Sequence, residues 1–290
     1  MSATPSQPNA VRYPLQRLDL AALEWGPADG KPLIALHGWL DNAASFNVLA
    51  PLLLSGRRVI AIDLPGHGYS DHRSADTHYL MVEAVQELAD LVRRYFEPPI
   101  DLLGHSLGGI IASLYAASFP EQVGRLAMID SLGPYVADEK EFARRLRKGF
   151  GRALEGARSS LPVYATREEA YATRIEGGLP LSPKAAEAIV TRNLRECEGG
   201  WTWRTDRRLR WPSPVMLTEG QVRGYLSAIE CPVLLALGED GMMAQNERIR
   251  ARSECIANLQ TVTVAGGHHC HLDGDVDTLG KHLRHFYQDD

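Results

Sequence analysis

Ser106 lies in the run Gly104-His105-Ser106-Leu107-Gly108, directly between a stretch that reads as a strand and one that reads as a helix. A serine hydroxyl is a weak nucleophile until a base takes its proton, so this setting calls for a histidine elsewhere in the chain. A strand turning sharply into a helix strains the residue at the turn, and flanking glycines remove the Cβ atoms that would collide there. The hydroxyl is thereby presented at the carboxyl edge of a sheet. Leu107 then opens the helix, where unpaired N–H groups and the helix dipole favour developing negative charge, so its amide is one expected oxyanion donor. Trp39, in His37-Gly38-Trp39 after another apolar run, is placed to supply the second.

The base must arrive late in the chain, above the same sheet edge. In Gly266-Gly267-His268-His269-Cys270-His271, His268 comes first after the glycine turn and is the expected base. His269 and His271 read as hydrogen-bonded loop histidines. A metal site is the rival reading, but three histidines and a cysteine at positions 268 to 271 cannot all converge on one ion, and no second ligand group is evident. No metal and no cofactor is expected. The acid that orients the histidine has three candidates: Asp240 and Glu239 in Leu237-Gly238-Glu239-Asp240-Gly241, and Asp130 at the end of RLAMID. Asp240 and Asp130 both give the order serine, acid, histidine; Asp240 is expected, with Asp130 and Glu239 as alternatives.

These residues need a frame that brings strand ends together. Short runs rich in Val, Ile and Leu predict strands at 32 to 38, 58 to 65, 100 to 106, 125 to 131, 232 to 238 and 259 to 266. Apolar spacing of three and four predicts helices over 78 to 96 and 107 to 119. The alternation is that of an α/β protein with a mostly parallel central sheet flanked by helices. LQRLDL and AALEW form an expected antiparallel pair at one edge. After Ser131 about 100 residues pass before the next strand, too many for a loop, which predicts an inserted helical cap after the sixth strand. The expected division is a tail at 1–16, a core at 17–131 and 231–290, and the cap at 132–230. Within the cap, Phe142, Leu146, Phe150 and Leu154 predict one amphipathic helix with a core-facing stripe. Trp201, Trp203 and Trp211 are candidates for an acyl pocket or for the cap's own core.

Over 290 residues, 44% are apolar and 23% charged, ordinary for a globular chain that buries a core. The net charge of −5 argues against general nucleic-acid binding, although residues 131 to 230 carry 17 Lys and Arg against 13 Asp and Glu. The first 15 residues do not read as a secretory signal, no stretch approaches a membrane span, and four scattered cysteines favour reduced thiols in the cytoplasm.

HGWLDNAASF at 37 to 46, DLPGHGYSDH at 63 to 72, GHSLGG at 104 to 109 and TDRRLRW at 205 to 211 resemble motifs of the α/β-hydrolase superfamily, and within it the serine hydrolase-like proteins, over residues 17 to 289. The resemblance implies Ser106 as nucleophile, His268 as base, Trp39 and Leu107 as oxyanion amides and a cap over the pocket. Superfamily members with the acid after this strand place it three residues beyond the glycine, which here is Gly241; Asp130 matches a minority pattern with the acid at the preceding strand end. Similar dehalogenases and epoxide hydrolases carry Asp where Ser106 stands. The expected function is hydrolysis of a carboxylic ester or related acyl small molecule through an acyl-serine. A thioesterase, lactonase or carbon–carbon bond hydrolase using the same residues, and a non-catalytic ligand receptor on the same fold, are the alternatives.

Overall fold

The structure is a computed structural model that describes residues 7–155, 161–177, 181–244 and 246–288. β1 (Asn9–Pro14), β2 (Asp19–Trp25), β3 (Lys31–Leu36), β4 (Arg57–Ile62), β5 (Ile100–His105) and β6 (Val123–Ile129) precede a two-stranded ribbon of β7 (Leu194–Cys197) and β8 (Gly200–Trp203). β9 (Val233–Gly238) and β10 (Leu259–Val264) complete an eight-stranded sheet of order β1-β2-β4-β3-β5-β6-β9-β10. β2 pairs antiparallel with both β1 and β4, and β4, β3, β5, β6, β9 and β10 run parallel, so the carboxyl ends of these six share one edge.

Strands buried on both faces send alternate side chains to opposite layers. Ile34, Leu36, Ile60 and Ile62 enter one apolar layer, while Leu33, Ala35, Val59 and Ala61 enter the other. The helices are α1 (Met81–Tyr95), α2 (Leu107–Ser118), α3 (Phe142–Leu154), α4 (Arg167–Glu176), α5 (Pro183–Asn193), α6 (Glu219–Ser227), α7 (Glu247–Arg252), α8 (Cys270–Asp273) and α9 (Val276–Tyr287). Leu88, Leu91 and Val92 of α1 and Ile111, Ala112 and Tyr115 of α2 close the first layer; Leu279, Leu283 and Phe286 of α9 close the second. Each such aliphatic side chain contributes about 1.5–3 kcal/mol by leaving water. No helix among the described residues is long and apolar enough to cross a membrane.

The expected tail is corrected at its inner part: residues 1–6 lie outside the described residues, but Asn9–Pro14 form β1. LQRLDL is therefore mostly turn, closed by Leu15 N–H on the Leu18 carbonyl at 3.0 Å. Tyr13 decides this register, because its buried ring packs against Tyr95 and Phe96.

The segment between β6 and β9 departs from the helical expectation in three ways. It contains the β7-β8 ribbon as well as α3, α4 and α5, with Trp201 and Trp203 packed against Ala170, Val190 and Leu194. α6 belongs to the core, since Val222 and Leu226, one helical turn apart, are buried in the layer that α2 closes. The cap boundary at 230 is thus corrected to the residues before α6. Finally, α3 turns its stripe outward: Phe142, Phe150 and Leu154 are exposed. Gly149 explains the rotation, because a Cβ there would lie 2.7 Å from Pro214 Cα, so only this side of α3 can approach that close.

Three arginines of this segment, Arg174, Arg192 and Arg208, point inward. Arg192 grips buried Asp63 through Nε at 3.1 and 3.0 Å and a terminal nitrogen at 2.8 Å. Arg174 reaches Asp41 at 3.2 Å, and Arg208 bonds the carbonyls of Arg73, Ser74 and Thr77. Such charge-assisted contacts hold the segment to the core.

Candidate active site

Ser106 stands between β5 and α2 with φ 50° and ψ −115°. Among the described residues only three non-glycines have positive φ, namely Leu40, Ser106 and Asp130, and all three follow parallel strands at the same sheet edge. Such backbone conformations cost roughly 1–3 kcal/mol each and persist only where neighbours enforce them. At Ser106 the enforcing contacts are its N–H on the Ile129 carbonyl at 3.1 Å and its own carbonyl accepting from the Ser131 hydroxyl at 2.7 Å. Gly108 lets α2 press against β3: a Cβ there would come within 2.0 Å of the Leu36 carbonyl oxygen.

His268 Nδ1 lies 2.5 Å from Asp130 Oδ2. Asp130 is fully buried, and its carboxylate also accepts from the backbone N–H groups of Met242 at 2.9 Å and Met243 at 3.4 Å. The expectation that Asp240 orients the histidine is corrected here. Asp240 is exposed, with its backbone N–H on the Gly266 carbonyl at 3.0 Å, and Glu239 is exposed as well. The reason lies in Gly241, where the more common acid would stand. A Cβ at Gly241 would fall 2.4 Å from Asp130 Oδ1, so the Asp130 carboxyl fills the space that a side chain at 241 needs.

Leu107 opens α2 directly after Ser106 and Trp39 follows β3, the strand beside β5, and no described residue accepts from either backbone N–H. Two buried histidines build the Trp39 turn. His37 Nε2 accepts the Leu64 N–H at 2.9 Å, and His67 Nε2 accepts the Leu40 N–H at 3.2 Å. With Nε2 accepting, each Nδ1 donates to a carbonyl, Gly38 for His37 and Pro65 for His67. Burial favours these neutral forms, lowering His37 and bringing His67 down to about 3. The Asp63–Ser70 fragment is held by its own carboxylate: Asp63 accepts from Ala43 and Tyr69 N–H groups, both at 2.8 Å.

Behind the serine lies a second group of buried side chains that sequence reasoning did not assemble. His105 Nε2 bonds the His268 carbonyl at 2.9 Å, joining the nucleophile turn to the histidine loop. His269 Nε2 lies 3.2 Å from Asp41 Oδ2, so it is a bonded loop histidine as expected. His271 is not: it is fully buried against Phe46 and His105, and neither ring nitrogen has a partner among the described residues. Burial lowers both His105 and His271, the latter to about 3. Burial also raises the Cys270 thiol to about 12, leaving it protonated. Asp41 and Arg192 carried no local sequence signal, because their partners lie more than 100 residues away.

The family described as alpha/beta hydrolase fold matches residues 31–275. A serine hydrolase-like protein of Danio rerio is 30% identical over 272 residues, 90% of this chain and 83% of that protein. A pimeloyl-acyl-carrier-protein methyl ester esterase of Neisseria meningitidis is 35% identical over 218 residues, covering 72% of this chain and 74% of the esterase. Among solved structures, a hypothetical protein of Pseudomonas aeruginosa PAO1 superposes with a TM-score of 0.90 at 40% identity, over 96% of this chain and 97% of that one.

Proposed function

The chain belongs to the alpha/beta hydrolase fold family, and on that premise we propose that it is a serine hydrolase that cleaves a carboxylic ester or related acyl compound through an acyl-Ser106 intermediate. The observation that carries this reading is the His268–Asp130 contact at 2.5 Å beside a strained serine at the amino end of α2. Asp130 holds the Nδ1 proton, which leaves Nε2 as the lone pair that removes the Ser106 proton. Ser106 Oγ then bonds to the acyl carbon, and the oxyanion is received by the Trp39 and Leu107 amides. The imidazolium, stabilised by the Asp130 charge, returns its proton to the leaving alcohol. Water, deprotonated in turn by His268, releases the acid and restores Ser106.

Segment 132–218 serves in this reading as the cap. It is supported by Asn42 Nδ2 on the Ile189 carbonyl at 2.8 Å and Trp39 Nε1 on the Leu209 carbonyl at 3.0 Å, contacts that bring it onto the loops beside the serine. The Neisseria relative, named as a methyl ester esterase, favours an oxygen ester as the substrate class. The four cysteines are free, which fits a cytoplasmic enzyme.

A fluorophosphonate probe tests the proposal. Wild-type protein is expected to be labelled at Ser106, with Ser106→Ala unlabelled, folded, and reduced in ester turnover by about three to six decades. Equal labelling of wild type and Ser106→Ala, or wild-type protein that neither labels nor hydrolyses any short acyl ester, overturns it.

A further inference from the structure

In the buried group behind Ser106, His105 Nδ1 faces an Asp41 oxygen that accepts from His269, and no donor lies between the two. His105 Nε2 must carry a proton, because its partner at 2.9 Å is the His268 carbonyl. Its Nδ1 is then a lone pair, and it is buried without a hydrogen-bond partner among the described residues. That lone pair lies 3.8 Å from Asp41 Oδ2, itself an acceptor. Two acceptors facing each other in a dry interior are unfavourable unless something electropositive sits between them. His269 Nε2, 3.2 Å from the same oxygen, supplies a third ligand atom, and all three lie within 4.8 Å of one another. Bonds of about 2.0–2.1 Å from one tetrahedral ion separate its ligand atoms by about 3.4 Å, a value that the 3.2 and 3.8 Å spacings bracket.

The surroundings fit a cation in two further respects. A Cβ on Gly38 would lie 2.8 Å from His105 Nδ1 and 3.1 Å from Asp41 Oδ2, so the missing side chain leaves this approach open. Arg174 bonds Asp41 through Oδ1, the oxygen turned away from the histidines, and thereby orients Oδ2 as an outer partner orients a ligand. Its charge opposes the ion, which favours moderate rather than extreme affinity. The histidine run at 268 to 271 lacks a second ligand group in the sequence; folding provides one in Asp41 and His105.

We propose that Asp41, His105 and His269 bind one divalent first-row transition-metal ion, Zn²⁺ being the best match to two imidazoles and a carboxylate. On binding, the His269 proton passes from Nε2 to Nδ1 by solvent-mediated tautomer exchange, which frees the Nε2 lone pair for the ion, and His105 Nδ1 and Asp41 Oδ2 contribute theirs directly. Because His105 precedes Ser106 and His269 follows His268, the ion staples the serine turn to the histidine loop.

Chelator-stripped protein is titrated with Co²⁺ and with Zn²⁺. One Co²⁺ per chain is expected, with visible ligand-field bands of a four-coordinate nitrogen and oxygen site, displacement by Zn²⁺, and a raised thermal midpoint. His269→Gln and Asp41→Asn are expected to weaken binding at least about a hundredfold, whereas His282→Gln, on exposed α9 surface, leaves it unchanged. Circular dichroism checks folding, and His269→Gln alone decides if Asp41→Asn does not fold. Absence of Co²⁺ binding at micromolar concentrations, or unchanged affinity and spectrum in folded His269→Gln, overturns the proposal. Ser106 labelling run beside it reports separately, so a labelled protein that binds no ion refutes the metal site alone.

Discussion

Replacing Asp130 by Asn isolates the role of its charge, since the amide keeps the shape and Asn tolerates the positive φ of 43° at this position. Two orientations of the amide are open. With its nitrogen towards His268, the ring must accept at Nδ1, its proton moves to Nε2, and it can no longer take the serine proton. A substitution of that kind lowers turnover by about four decades in serine proteases. With its oxygen towards His268, as the Met242 N–H on Oδ2 favours, the tautomer survives but the imidazolium loses its counter-charge. A unit-charge pair at 2.5 Å is worth at most about 7 kcal/mol at an effective dielectric of 20. The measured value of a charged hydrogen bond is nearer 3 kcal/mol, and each decade of rate corresponds to about 1.36 kcal/mol. Asp130→Asn is therefore expected to lose about two to four decades in ester turnover and in phosphonate labelling rate. Asp240→Asn, at an exposed carboxylate, is expected to stay within about threefold of wild type. Both variants are assayed on a 4-nitrophenyl ester, with thermal melts confirming the fold. The reasoning is refuted if folded Asp130→Asn matches wild type within threefold, or if Asp240→Asn loses as much as Asp130→Asn.

Acid should unfold the protein early, because burial holds His37, His67, His105 and His271 below their ordinary value, two of them at about 3, while the unfolded chain protonates near 6.5. The unfolded state then binds more protons, so the stability from these groups is complete above pH 7 and falls as pH drops through about 6.5 towards 3, by up to about 1.4 kcal/mol per histidine per unit. His67 and His271 alone remove roughly 3 kcal/mol by about pH 5.5, a large share of a typical domain's stability, and His37 and His105 add in the same direction; a thermal midpoint that stays level from pH 8 to 5 contradicts this. Arg192→Met leaves the fully buried Asp63 without its guanidinium partner and is expected to cost about 3–5 kcal/mol in denaturant unfolding, with a loss below about 1 kcal/mol showing that the pair does not hold α5 to the core.

Local sequence determined the elements that carry the chemistry. The apolar runs of β3, β4, β5, β6, β9 and β10 and the helical spacing of α1 and α2 each appear within three residues of their predicted limits, because periodicity expresses which faces are buried. The serine turn was equally legible, since the strand, the glycines and the helix that strain Ser106 are its immediate neighbours. β1 was harder to read, with only Tyr13 fully buried in a polar edge strand, and α3 showed its stripe without showing that Gly149 would be the face that docks.

The choice between Asp130 and Asp240 belonged to the tertiary structure. β6 and β9 are adjacent and parallel, so both acids lie near the same strand ends, and chain order cannot separate them. What separates them is volume: the Asp130 carboxyl occupies the space beside Gly241, where the Met242 and Met243 amides and His268 converge. The assembly of Asp41, His105 and His269, and the grip of Arg192 on Asp63, likewise join residues far apart in the chain. Sequence spacing encodes contacts within an element, but contacts between elements depend on how the packed layers meet, and that is decided only when the sheet and its helices close around one core.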